Sequence, residues 1–360
     1  MEDAVGTTVL MAGRSKSGRR LQEPTDLRLV HRLDRTIWRS FIEEHNGSNV
    51  FHTPEMFEAF SRTKGYRPSL WAAVDGRGRP LALFLPVEIS LMGGPLRYFT
   101  TRAVAFGSVL AASGPPGRAA LSMVLHTYGR EVNRRVLFTE LRNLADMGEL
   151  GPVLAESGFE FQEHLNFLID LGRPLEEIWG DIRPNARRNI RKAMRSEVVV
   201  RQARSLKDID AAYEILREAY GRIRVPLPPR SLFRATFELL APPGMVRVLL
   251  AEVEGVMIGA LMLLLYKGVV VYWYTGSLRQ YSALRPADLL VWRSLELGQE
   301  SGFRTFDFGG GGSPETHYGV RDFKAKFGGD LVNFGRNTLI HAPARYKLVQ
   351  AGYRARRRLF

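Results

Sequence analysis

Apolar positions along this chain follow two rhythms, one repeating every three to four residues and one every second residue or in short unbroken runs. The first rhythm predicts helices over residues 25–45, 54–63, 118–134 and 145–157, then over 175–196, 206–222, 229–241 and 285–302. The second predicts strands over 69–74, 80–90, 103–111, 135–142 and 159–170, then over 198–203, 246–253, 258–266, 269–275, 305–308 and 330–337. Turn chemistry falls between them. Asp75-Gly76-Arg77-Gly78 separates two strands, and Ser205-Leu206-Lys207-Asp208 reads as the capped start of a helix. The most apolar stretch, 256–276, is broken at its centre by Lys267-Gly268. A charge and a glycine at that place are costly in a lipid span but suit the turn of a buried hairpin.

The two halves of the list share a grammar: helix, helix, antiparallel strands, helix, strand. This predicts a mixed α+β chain built from two copies of one α/β unit. The break Leu171-Gly172-Arg173-Pro174 places a boundary between a unit spanning 25–171 and a second spanning 172–345. Residues 1–24 read as a flexible basic arm, since Gly13, Arg14, Lys16, Arg19 and Arg20 interrupt any signal-peptide core. Residues 346–360 read as a basic terminal helix or tail.

Composition sharpens this picture in two ways. Lysine and arginine total 51 against 37 acidic residues in a chain of 360, a formal net charge of +14. Such a surface attracts phosphates, nucleic acid or an anionic membrane. The absence of cysteine excludes disulfides, thiolate metal sites and thiol nucleophiles, and points to the cytoplasm. The 7 histidines show no metal-ligand spacing, so no metal is expected. There is no G-x-S-x-G elbow and no P-loop. Asp307-Phe308-Gly309 lacks the companion motifs of a kinase. Transfer of an already activated acyl group to an amine fits what is left, because alignment and oxyanion stabilisation supply most of the catalysis.

The most informative string lies in the second unit. It runs Tyr272-Trp273-Tyr274-Thr275-Gly276, then Arg285-Pro286-Ala287-Asp288, then Phe306-Asp307-Phe308-Gly309-Gly310, and ends Phe323-Lys324-Ala325-Lys326-Phe327-Gly328-Gly329. With Arg187-Arg188-Asn189-Ile190-Arg191-Lys192-Ala193 upstream, this order resembles the Fem family of peptidoglycan cross-bridge aminoacyltransferases. The resemblance covers about residues 27–347, strongest in the second half. It implies two tandem GNAT-like acyltransferase domains, here without the coiled-coil arm of some members. It further implies an aminoacyl-tRNA donor and a UDP- or lipid-linked muropeptide acceptor. The rival donor is acyl-CoA, in polysaccharide or natural-product assembly. A third reading is a non-catalytic RNA- or membrane-binding module. The pyrophosphate loop that acetyl-CoA enzymes place before a helix has no counterpart in Gln280-Tyr281-Ser282-Ala283-Leu284-Arg285-Pro286, where glycines are missing and Pro286 removes an N–H.

Site residues follow from the same resemblance. Lys324 would stabilise the oxyanion or hold a phosphate, as against a surface lysine in a turn. Asp307 would orient Lys324 or the incoming amine, as against capping a turn. Phe323, Tyr274, Arg230 and Arg142 are candidate substrate contacts; for Tyr274 the alternative is a core tyrosine, and for Arg142 an ion pair with Glu140 or Asp146. Arg187, Arg188, Arg191 and Lys192, on the cationic side of the helix predicted over 175–196, are candidate contacts to tRNA phosphates. A monomer is expected, with peripheral contact to the anionic inner membrane face through the basic tail.

Overall fold

Strand pairing in the first half is interrupted twice, and the interruptions divide it into two sheets. The computed structural model describes residues 26–90, 94–133 and 135–358, so the expected basic arm over 1–24 lies outside the described residues. The run expected over 80–90 is two strands, Pro80–Phe84 and Val87–Ser90, parted at Leu85-Pro86, where proline offers no ladder N–H. The run expected over 103–111 is likewise two, Thr101–Ala105 and Val109–Ala111, parted at Ser108, whose φ is +67°. Pro80–Phe84 and Val109–Ala111 pair with each other and with Arg28–Val30 and Trp71–Val74 in a four-stranded sheet. Val87–Ser90 and Thr101–Ala105 pair in a six-stranded one.

The seven-stranded sheet of the second half is mixed. Its order is Val199–Gln202, Val246–Val253, Val256–Tyr266, Val269–Ser277, Thr305–Gly310, Leu165–Asp170 and Asp330–Asn333. The hairpin expected around Lys267-Gly268 is its centre, and residues 258–265 are buried throughout. Helices Pro184–Arg195 and Pro286–Glu300 cover one face, with Ile190, Leu290 and Leu295 fully buried against Leu261 and Phe306. Helices Leu206–Arg222 and Arg230–Leu240 cover the other face. They share a continuous apolar core with Phe51, Met56, Phe60, Val87 and Val104 from the first half. No helix among the described residues is long and apolar enough to cross a membrane.

The sheets cross the boundary expected at residues 171–174. The strand expected over 159–170 is two: Glu160–Gln162 stays in the six-stranded sheet, and Leu165–Asp170 enters the seven-stranded one. The strand expected over 330–337 is also two, and Arg336–Ile340 returns to the six-stranded sheet between Phe138–Arg142 and Glu160–Gln162. Each half thus lends a strand to the other. The helix expected over 175–196 breaks into Leu175–Asp181 and Pro184–Arg195. Pro184 forces Arg183 into an extended conformation (ψ 145°), and the Arg183 N–H released from the helix donates to the Lys326 carbonyl at 2.8 Å. The link between helices Leu206–Arg222 and Arg230–Leu240 is short, residues 223–229, with no coiled-coil arm. The basic terminal helix spans Pro343–Arg358.

Lys267, at the hairpin turn, locks the halves together. Its Nζ donates to the carbonyls of Ile42 (3.1 Å), Glu43 (2.7 Å) and His45 (3.0 Å) and to Ser48 Oγ (3.1 Å). These carbonyls end helix Arg35–Glu44, where the helix dipole also favours a cation. Lys267→Met should lower stability by about 1–3 kcal/mol by stranding these acceptors. A melting temperature within error of the parent would remove the lock from the stability argument.

Candidate active site

Strands Val269–Ser277 and Thr305–Gly310 run parallel but pair over only three residues, ending at Val271 opposite Asp307. Beyond that point they part, and a cavity of about 580 Å³ opens between them. Both walls are bulged. On one, Met262 faces Tyr274 while Leu263 faces Tyr272, leaving Trp273 as the extra residue. Consecutive Tyr272, Trp273 and Tyr274 therefore all reach the cavity, which a regular strand would forbid. On the other, Asn166 faces Gly310 while Leu168 faces Asp307, and Gly309 takes φ +66°.

That second bulge turns three successive carbonyls toward one point, and Lys324 occupies it. Its Nζ donates to the carbonyls of Phe308 (2.6 Å), Gly309 (3.2 Å) and Gly310 (2.9 Å). Lys324 closes helix Gly319–Lys324 and is 5% exposed, so it is not a surface lysine in a turn. Burial lowers its pKa to about 8, an effect the Asp307 carboxylate opposes. Asp307 is buried too. Its Oδ1 accepts from Asn166 Nδ2 at 2.7 Å and from the Gly309 N–H at 2.6 Å, while burial raises its pKa against these bonds. Asp307 thus acts on Lys324 through charge and through the shape of the bulge rather than by a direct hydrogen bond.

Lys324, Phe323, Tyr274 and Arg142 come together at the cavity. Burial raises the Tyr274 hydroxyl pKa. Arg142 makes the ion pair with Glu140 (2.7 Å) that its alternative reading named, and still lines the cavity, stacked 5.1 Å from the Phe106 ring centre. Arg230 lies elsewhere, paired with Glu214 and set over the Tyr213 ring at 5.1 Å. Arg187, Arg188, Arg191 and Lys192 also lie away from the cavity, on helix Pro184–Arg195. Arg188, Arg191 and Lys192 are exposed there, and Arg191 stacks on Trp179 at 5.4 Å.

Sequence reasoning missed Asn166, His164 and Arg336. The pattern offered no signal for them, because all three depend on the exchanged strands. Arg336 Nη2 lies 3.0 Å from His164 Nε2. A guanidinium only donates, so Nε2 is the acceptor and the ring is neutral with its proton on Nδ1. Burial and the Arg336 charge hold its pKa at about 4. Among the described residues, no aspartate or glutamate lines the cavity and no group of three metal-ligating side chains occurs.

Proline removes an N–H at the start of both helices where a coenzyme diphosphate could sit. Before helix Pro286–Glu300 the chain forms a 3-10 turn, Arg279–Leu284, and then Pro286. Helix Pro115–Val132 begins with two prolines.

Comparison with known proteins agrees with this architecture. Residues 180–324 match the profile of the acetyltransferase (GNAT) domain. The fold is similar to that of FemX, with a TM-score of 0.67 and 13% identity over 89% of this chain and 99% of that one. It is also similar to a tandem GNAT protein from the clavulanic acid biosynthesis pathway, with TM-score 0.56 and 13% identity over 88% and 99% of the two chains. A third likeness is to the C-terminal domain of a putative lysylphosphatidylglycerol synthetase from Agrobacterium fabrum, with TM-score 0.55 and 12% identity over 88% and 94%. No curated protein sequence matches the chain. The fold is therefore the tandem GNAT architecture, and the GNAT-domain match takes in Tyr274, Asp307 and Lys324.

Lys324 also makes a prediction about stability. Its folded pKa, about 8, lies below the ordinary 10.5. Between these values the unfolded chain binds the proton that the folded chain has released, so this group makes stability rise with pH across that window. Relative to Lys324→Met, the parent should gain on the order of a few kcal/mol from about pH 8 to about pH 10.5. Denaturant unfolding of both proteins at several pH values checks this. A difference independent of pH would mean that the ammonium is not held where its charge is costly.

Proposed function

We propose that this chain is an acyltransferase of the aminoacyl type, moving an amino acid from aminoacyl-tRNA to an amine on a peptidoglycan precursor stem peptide. The observation that carries the transferase reading is the buried Lys324 ammonium at the mouth of splayed strands, in a cavity that no carboxylate of the described residues lines. The neutral amine attacks the ester carbonyl carbon, forming the C–N bond and an oxyanion. Collapse of that intermediate breaks the C–O bond to the ribose, and the leaving oxygen takes the proton that the amine gives up. The Lys324 charge favours the oxyanion. Its N–H groups already bond carbonyls, so it acts by field and by fixing the strand end.

Two observations favour tRNA over coenzyme A as donor. The proline-blocked helix starts offer a diphosphate fewer N–H groups. The exposed cations Arg188, Arg191 and Lys192 form a surface suited to a polynucleotide backbone. The muropeptide as acceptor class rests on the sequence resemblance to the Fem family, and the fold is similar to that of FemX. Contact with an anionic membrane through the basic terminal helix belongs to the same reading.

Purified protein should form an amide when given charged tRNA and a UDP-muropeptide. Lys324→Met should reduce kcat by about a hundredfold or more while the protein stays folded. Turnover of an acyl-CoA, with no transfer from any charged tRNA, would replace the donor in this reading. The charge reversals Arg188→Glu and Arg191→Glu should raise KM for charged tRNA at constant kcat, and added salt should do the same to the parent enzyme. A KM insensitive to both would remove that helix from the tRNA surface.

A further inference from the structure

Side-chain alternation places four charged residues on one face of the six-stranded sheet. Arg102 lies on Thr101–Ala105, Glu140 and Arg142 on the neighbouring Phe138–Arg142, and Arg336 on the next strand, directly opposite Arg142. Glu140 accepts from Arg142 Nε at 2.7 Å and from Arg336 Nη1 at 3.0 Å. Among the described residues, the Glu140 carboxylate also acts on Arg102, Arg336 and His164. Three guanidiniums thus share one carboxylate. Burial works to raise the Glu140 pKa, yet Arg142 and Arg336 hold it at about 2, so its charge is permanent. Arg102 Nε is buried with no hydrogen-bond partner. His164, neutral, adds no compensating charge.

Unpaired positive charge in a half-buried cluster is unfavourable unless an anion completes it. The cluster opens onto the cavity, since Arg142, Arg336 and His164 all line it. It is also contiguous with the Lys324 site. His164 Nε2 lies against Gly310, where an added Cβ would come within 2.3 Å of it, and the Gly310 carbonyl accepts from Lys324.

We propose that Arg142 and Arg336, backed by Arg102 and balanced by Glu140, form a binding subsite for an oxyanion, a phosphate or carboxylate carried by the molecule that occupies the cavity. Glu140 engages Nε of Arg142 and Nη1 of Arg336, and His164 takes Nη2 of Arg336, which fixes both planes and leaves the two Nη groups of Arg142 to bind the anion while Arg336 adds its charge. The inference deepens the transferase reading by giving the charge of its substrate. It is read by binding alone, so it can fail while acyl transfer stands.

The test is calorimetric titration of the full chain at constant ionic strength with inorganic phosphate, pyrophosphate and N-acetylglycine. At least one probe should bind with 1:1 stoichiometry. Binding should weaken about tenfold in Arg142→Gln and in Arg336→Gln, tighten in Glu140→Gln, and stay unchanged in the surface control Arg293→Gln. Tighter binding of the phosphates identifies a phosphate as the natural group, and tighter binding of N-acetylglycine identifies a carboxylate. Where an arginine variant fails to fold, Glu140→Gln decides alone, through a larger anion-induced rise in melting temperature than the parent shows. The absence of saturable binding by any probe would overturn the subsite. So would binding that survives both arginine changes, or a Glu140→Gln protein no more responsive to anions than the parent.

Discussion

Three carbonyls aimed at one ammonium hold the site together. Once Thr305–Gly310 leaves its parallel partner beyond Asp307, the carbonyls of Phe308, Gly309 and Gly310 have no common strand to bond. Their dipoles converge with like ends together, an arrangement that only a cation makes favourable. A lysine ammonium has three N–H groups in tetrahedral array, whereas a planar guanidinium could not cap three oxygens that converge on a point. The chain after Lys324 depends on that anchor. Arg183, freed by the helix break at Pro184, bonds the Lys326 carbonyl, and Asp330–Asn333 then pairs with Leu165–Asp170. The cavity wall, the break in the helix and the return strand are thus all placed with reference to one buried charge.

The same charge shapes the chemistry that the cavity can support. Arg142, Arg336 and Lys324 line it, no carboxylate of the described residues does, and the His164 Nε2 is already engaged by Arg336. A protonated amine entering such a field would be disfavoured, so its pKa falls and it reacts as the neutral nucleophile. A general base from the protein is then less needed. What the transition state gains is stabilisation of developing negative charge. Asp307 offsets part of the burial cost of Lys324 without lending the cavity a carboxylate, because its Oδ1 is engaged by Asn166 and the Gly309 N–H.

Much of this was legible in the sequence where local rules decide. The Lys267-Gly268 hairpin and the cap at Ser205 are set by neighbours within a few residues, and both stand as read. Lys324 was legible as a motif but its burial was not, because the carbonyls that hold it come from residues 308–310. Gly329 shows the same limit. Its φ is +86°, and a Cβ there would lie 2.5 Å from the Leu168 carbonyl, a strand far away in sequence. The breaks at Pro86 and Pro184 carried local signals that the apolar rhythm overrode. Arg230 and the cations of helix Pro184–Arg195 show the converse. Charge and position in a motif say nothing about which surface a residue reaches.

The exchange of strands changes what the duplication means. If each half kept its own strands, Arg336 would lie in the second sheet and Glu140 in the first, with no common face. Because Arg336–Ile340 inserts beside Phe138–Arg142, an arginine from the end of the chain meets a carboxylate nearly two hundred residues earlier. Leu165–Asp170 makes the reciprocal crossing and brings Asn166 to Asp307, with His164 just before it against Gly310. The cavity is therefore walled by both halves and assembled by the strands they trade. Neither half, cut at the apparent boundary, would retain the bonds that set Asp307 or the partner that engages His164. The two halves read alike in their apolar pattern, but the site belongs to their seam.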